Sequence, residues 1–169
     1  MDKATLAAIQ APLKATYRDD PEDAVVTLEA RGRLGEGISC SVETGRAMAA
    51  AGLHPKAGGD GSQLCSGDML LEALVACAGV TLSAVATSME LDIRNGRVHA
   101  EGDLDVRGTL AVSKEAPVGF REIRLSFDLD TDASDPELAV LATLTERYCV
   151  VWQSLRQPPE WSVSISRAG

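Results

Sequence analysis

The sequence predicts an α+β domain in which an antiparallel sheet carries two long helices. Three observations point to it. Strict alternation of apolar and polar residues recurs in several separate segments, two longer stretches are apolar at helical length, and Gly, Asn-Gly or Pro-Pro punctuation stands between them.

Each element follows in chain order. Leu6, Ile9, Leu13 and Tyr17 recur at roughly helical spacing, an amphipathic helix expected to break or kink near Pro12. Val26, Leu28, Ala30, Gly32 and Leu34 alternate with Thr27, Glu29, Arg31 and Arg33. Gly35-Glu36-Gly37 then turns the chain toward Ile38, Cys40 and Val42, which suggests a hairpin. Residues 45–67, GRAMAAAGLHPKAGGDGSQLCSG, read as a loop of a length that is often functional. A helix from about Asp68 to Glu90 comes next. Asn95-Gly96 is expected to turn the chain into a long strand, in which Val98 through Val112 alternate apolar or small with polar and Gly102 or Gly108 marks a bend. Ile123, Leu125, Phe127 and Leu129 form a further strand. Ser134 with Glu137, or Asp135 with Pro136, caps a second long helix that stops before Pro158-Pro159. Trp161, Val163 and Ile165 give a last strand. One apolar and one polar face per strand indicate antiparallel pairing. Residues 1–23 are expected to be a helical extension and 24–169 a single domain.

Composition narrows the function classes. With 45% hydrophobic and 24% charged residues the chain has the makeup of a soluble globular protein. A net charge of -9 and a pI near 4.7, with no basic cluster, argue against a nucleic-acid partner. The N-terminus lacks the basic and apolar regions of a signal peptide, so the expected location is cytoplasmic. Residues 73–89 carry no charge, yet the run is shorter than the roughly 20 residues of a membrane span and is flanked by Glu72 and Glu90. A buried core helix is expected, not a membrane partner. That helix is apolar or small nearly all round, and one sheet covers only one side of it. A second copy covering the other side makes an intimate homodimer.

Four cysteines, Cys40, Cys65, Cys77 and Cys149, include no CxxC pair, and His54 and His99 stand at no metal-ligand spacing to them. Neither zinc nor a structural disulfide is expected, and no cofactor is implied. Cys40 falls on the inward face of its strand and reads as core packing. Cys65, just before a helix, reads as loop packing or as a thiol with a lowered pKa. Cys77 and Cys149 each lie in a central helix. They are either unrelated core cysteines or a reversible redox pair of nucleophile and resolving thiol, and spacing alone leaves both open.

SGDMLLEALVACAG, residues 66–79, resembles the first-cysteine motif of the OsmC/Ohr superfamily: an acidic residue, a Leu-rich stretch, Ala-Leu, two small residues and Cys. YCVVWQSL, residues 148–155, resembles its second motif, and the element order of about residues 24–167 matches as well. The resemblance implies a strongly curved antiparallel sheet in each of two intertwined subunits, with two central helices buried between the sheets. It further implies thiol-dependent reduction of organic hydroperoxides. Cys77 is then the peroxidatic thiol, Cys149 the resolving thiol, and an external dithiol such as a lipoyl group the reductant.

A peroxidatic thiolate calls for a cation held by an acid. Asp68 matches the acidic position, and its alternative role is a helix N-terminal acid favoured by the macrodipole. Glu72 is a second acid beside the helix, or is solvated at its first turn. Arg31, Arg33, Arg46 and Arg147 are the available cations; Arg46 in the loop is the first choice, since the strand arginines also fit a solvated face and Arg147 a helix surface. Three departures stand out. Cys65-Ser66-Gly67-Asp68 replaces an Asn-Pro-Glu-type sequence, Val150 replaces the usual Pro, and His54, Lys56 and Cys65 are added beside the expected site. They keep two other readings open: a noncatalytic small-ligand binding protein, and a redox sensor that forms the disulfide stoichiometrically. Sparse aromatics and abundant aliphatics suggest a greasy pocket that prefers alkyl hydroperoxides to hydrogen peroxide.

Overall fold

The computed structural model describes residues 2–19, 31–34, 39–43, 48–111 and 113–167. Helix α1 (Lys3–Asp19) is followed by strands β1 (Arg31–Leu34), β2 (Ser39–Glu43), β3 (Met48–Gly52) and β4 (Leu64–Cys65). Then come α2 (Ser66–Met89), β5 (Ile93–Leu104), α3 (Val106–Thr109), β6 (Phe120–Thr131), α4 (Asp135–Tyr148) and α5 (Val150–Arg156).

The core is built on α2. Leu74, Ala78, Leu82 and Ala86 recur every fourth residue along one face and are buried. That face packs against β5, α4 and α5. The sheet side of the core comes from alternate residues of β5 and β6, where Val98 faces Phe127, Ala100 faces Leu125 and Gly102 faces Ile123. A Cβ on Gly102 would stand 2.5 Å from the Phe120 ring, so this glycine makes room for an aromatic residue at the strand end. On the opposite pleats Arg124 reaches Asp103 at 2.6 Å and Glu101 at 3.2 Å, while Arg94 reaches Asp130 and Asp132, both at 2.6 Å. These pairs are exposed, so they favour the observed register more than they add stability. Glu137 accepts hydrogen bonds from the N–H of Ser134 at 2.8 Å and from its hydroxyl at 2.7 Å, which fixes the start of α4 where the sequence places it.

Several expectations are corrected. Helix α1 runs unbroken through Pro12, since a proline removes one N–H and need not end a helix. The 45–67 segment is not a plain loop. Met48–Gly52 pairs antiparallel with β2, and Leu64–Cys65 pairs parallel with Ala51 and Gly52. Between them His54 Nδ1 accepts the Lys56 N–H at 3.1 Å and caps a short 3-10 turn, Pro55–Ala57. The Ala-rich β3 has no strand signature of its own, and pairing with β2 makes it a strand.

Asn95-Gly96 lies inside β5, where a register shift between Ile93 and Asn95 absorbs the irregularity that the dipeptide announces. The strand ends at Leu104 because Asp105 accepts the Arg107 N–H at 3.1 Å and starts α3 across Val106–Thr109. Among the described residues the strands form two sheets, ordered β1-β2-β3-β4 and β5-β6. The long second helix is two helices, divided at Cys149. Trp161, Val163 and Ile165 form no strand among the described residues. The expected turn at Gly35-Glu36-Gly37 and the strand residues 26–30 lie outside the described residues, although the antiparallel register of β1 on β2 is that of the expected hairpin.

Leu141 is 1% exposed and belongs to the cluster of Leu82 and Ala86. Leu141→Ala is expected to lower unfolding free energy by about 2–5 kcal/mol, read from denaturant midpoints at unchanged slope.

Candidate functional site

Cys77 lies in the middle of α2 and is half-buried; Cys149 lies at the α4–α5 junction and is 1% exposed. Helical geometry ends at Cys149, whose φ of -73° and ψ of 109° make it the last cap of α4 and the first cap of α5 at once. The break turns the N-terminal amides of α5 toward α2. Cys149 forms a buried cluster with Leu74 and Ala78, against which Cys77, Val151 and Trp152 pack. Both thiols are free, and Cys77 packs against the buried cluster that holds Cys149, close enough for each to shift the other's ionisation.

Their electrostatics diverge. Burial opposes ionisation of Cys77, but the nearby polar groups, first the Val151 amide, then the Cys149 thiol and the Val150 amide, outweigh it and bring its pKa below the ordinary thiol value. Burial raises the Cys149 pKa; the Trp152 N–H works against that, and the neighbouring Cys77 raises it further. The arrangement favours a Cys77 thiolate beside a protonated Cys149, with the proton of the pair on the buried sulfur. A nucleophile beside a thiol donor is what reversible disulfide chemistry needs.

The groups that favour the thiolate are neutral. Two of them, the amides of Val150 and Val151, escape sequence reasoning because they depend on a helix break that neither Gly nor Pro announces. The one available signal was the departure at Val150: a proline there would have no N–H to give. Thr81, one turn after Cys77, donates to the Cys77 carbonyl at 2.8 Å.

The other candidates lie apart. Asp68 is exposed in the first turn of α2, about 13 Å along the helix from Cys77 at 1.5 Å per residue. It lines a 300 Å³ cavity with His54, Lys56, Cys65, Leu104 and Phe120. Glu72 is exposed on the same helix. Arg147 is exposed, and its guanidinium lies 5.5 Å from the centre of the Tyr148 ring, a cation–π contact on the surface of α4. Arg31 and Arg33 are backbone positions of β1, and Arg46 lies outside the described residues. Among the described residues no group of three His, Cys, Asp or Glu side chains is arranged to hold a metal.

On this α+β frame a half-buried helical thiol, Cys77, stands beside a buried one, Cys149. Residues 59–164 match the family described as OsmC-like protein, and the chain belongs to that family. No protein with a curated description matches it. Among solved structures, an OsmC-like protein from Mycoplasma pneumoniae superposes with a TM-score of 0.66 at 17% identity, covering 79% of this chain and 89% of that one. An organic hydroperoxide resistance protein from Elizabethkingia anophelis gives 0.64 at 14% identity, covering 79% and 91%. The organic hydroperoxide resistance protein OhrB of Bacillus subtilis gives 0.54 at 18% identity, covering 79% and 93%. At these identities the likeness is one of fold.

The pKa directions predict that alkylation by iodoacetamide rises with pH through a lower midpoint at Cys77 than at Cys149. The backbone of Cys149 already has the extended conformation that precedes proline. Val150→Pro therefore fits the helix start, removes one donor and should raise the Cys77 midpoint. An unmoved midpoint would show that the amide does not support the thiolate.

Proposed function

We propose that the protein is a dimeric thiol peroxidase that reduces organic hydroperoxides with Cys77 and Cys149. The contact between a half-buried Cys77, favoured as thiolate, and a buried Cys149, favoured as thiol, carries this reading. Membership of a family that includes organic hydroperoxide resistance proteins supports it.

The Cys77 thiolate attacks the terminal oxygen of R–O–O–H. The S–O bond forms as the O–O bond breaks, the sulfur is oxidised to a sulfenic acid, and the alkoxide leaves and takes a proton to become R–OH. The Cys149 sulfur then attacks the Cys77 sulfur. The S–S bond forms as the S–O bond breaks, and the hydroxide leaves with the Cys149 proton as water. An external dithiol of the lipoyl type restores both thiols by two exchanges and leaves as its own cyclic disulfide. The chemistry needs no resident cofactor. A cytoplasmic location supplies the reducing dithiol that turnover requires. Asp68, the acid of the first motif, lies about 13 Å along α2 from Cys77 and takes no step in this scheme.

A second copy completes the structure. Helix α2 is apolar enough to cross a membrane by composition, with a mean hydropathy of 2.0 over 18 residues, yet only 22% of that window is buried within one chain. Its outer face presents Ala73, Ala76 and Val80, the last 73% exposed. Trp161, Val163 and Ile165 are 82%, 87% and 96% exposed at alternate positions, a strand pattern without a strand partner among the described residues. Covering the helix and pairing the segment are both met by a homodimer.

Steady-state consumption of cumene hydroperoxide with dihydrolipoamide tests the activity. Multiple turnovers are expected, with Cys77→Ser lowering the rate by at least about 1,000-fold. Cys149→Ser should allow the first oxidation and block recycling by dithiol. Absence of turnover with formation of the disulfide would make the protein a stoichiometric sensor. Sedimentation equilibrium should give a dimer that Val80→Glu shifts toward monomer; a monomeric wild-type chain would contradict the assembly.

A further inference from the structure

A groove of 260 Å³ between β6 and α5 has no role in the redox chemistry above. Its apolar lining includes Leu74, Ile123, Trp152 and Leu155, and its rim carries Arg121 and Arg156. Leu74 and Trp152 also belong to the packing around Cys149 and Cys77, so the groove and the thiol pair share a wall.

Two features describe an occupant. The volume lies just under the roughly 300–1,000 Å³ of drug-sized sites, room for one aryl or short alkyl body. Neither Arg121 nor Arg156 joins an ion pair among the described residues, whereas Arg94, Arg107 and Arg124 all do. Arg121 also feels the carboxylates of Asp103 and Asp105, which leaves Arg156, at the end of α5, the freer cation. Glu122, the acid in the lining, is engaged by Arg124 at 3.4 Å.

We infer that this groove seats an anionic amphiphile, a hydroperoxide with an aryl or short alkyl body and a carboxylate, and that Arg156 and Arg121 select it over its neutral counterpart. The substrate assignment rests on the peroxidase reading; the binding of a carboxylate amphiphile does not. Apolar walls bury the body, while the guanidinium groups give the carboxylate charge-assisted hydrogen bonds. The arginines are exposed, so added salt weakens the preference.

The test compares kcat/KM for cumene hydroperoxide and its para-carboxylate derivative in the full-length protein, together with calorimetric binding of 4-isopropylbenzoate, which has the same body without the peroxide. Wild type should favour the carboxylated peroxide by about tenfold, the scale of one charge-assisted contact. The double variant Arg121→Gln/Arg156→Gln should bring the ratio close to one and weaken 4-isopropylbenzoate by about tenfold on the same scale. Lys114→Gln, which removes a cation outside the groove, should keep the wild-type ratio. A wild-type ratio near one, or a ratio retained by the double variant, would overturn the selection. If neither peroxide is turned over, the peroxidase reading fails and 4-isopropylbenzoate decides the groove. Binding lost in the double variant supports the groove as an anion site, and no binding to wild type overturns it.

Discussion

Helix α2 needs cover on every side, and the rest of the structure answers that need. Its residues 73–89 carry no charge, so no face of it is at home in water. One chain covers a single stripe, Leu74 to Ala86, with β5, α4 and α5. The opposite face keeps Val80 and small residues exposed, and the C-terminal segment presents an exposed apolar alternation at Trp161, Val163 and Ile165. Burial on the covered side is also what makes a thiol useful there. Cys77 sits at the edge of that stripe, reachable from outside, and its partner lies fully within.

The chemistry of the pair follows from a broken helix. A continuous helix from Asp135 to Arg156 would tie the amides of Val150 and Val151 to carbonyls four residues back. Interruption at Cys149 frees them to face Cys77. Backbone donors held by packing cost no reorganisation when charge develops on sulfur, and they work without a buried cation. That fits a chain in which Arg147 lies on the Tyr148 ring and Asp68 stands two and a half helical turns from the thiol. Val150 then reads as part of the site, since it supplies an N–H that a proline would lack.

The fold was legible where one local signal sufficed. The uncharged run marked α2, the alternation from Ile123 to Leu129 marked β6, and Ser134 with Glu137 marked the start of α4. Sequence reading failed where structure depends on a partner far along the chain. MAAAG is a strand only because β2 lies beside it, and Asn95-Gly96 stays in β5 only because β6 accommodates the register shift. WSVSIS has a strand's pattern without a strand's partner among the described residues. Of the site, the two cysteines were legible through helix position and motif resemblance. The amide donors were not, because no side chain encodes them.

The central claim is that Cys77 and Cys149 form one redox unit, and disulfide mapping tests it most directly. The fully reduced protein is oxidised with one equivalent of cumene hydroperoxide, and the linked peptides are identified by mass spectrometry. The account predicts a Cys77–Cys149 peptide pair, with Cys65 still reduced. A Cys77 peptide that remains a free thiol would contradict it and leave Cys77 as apolar filling in α2.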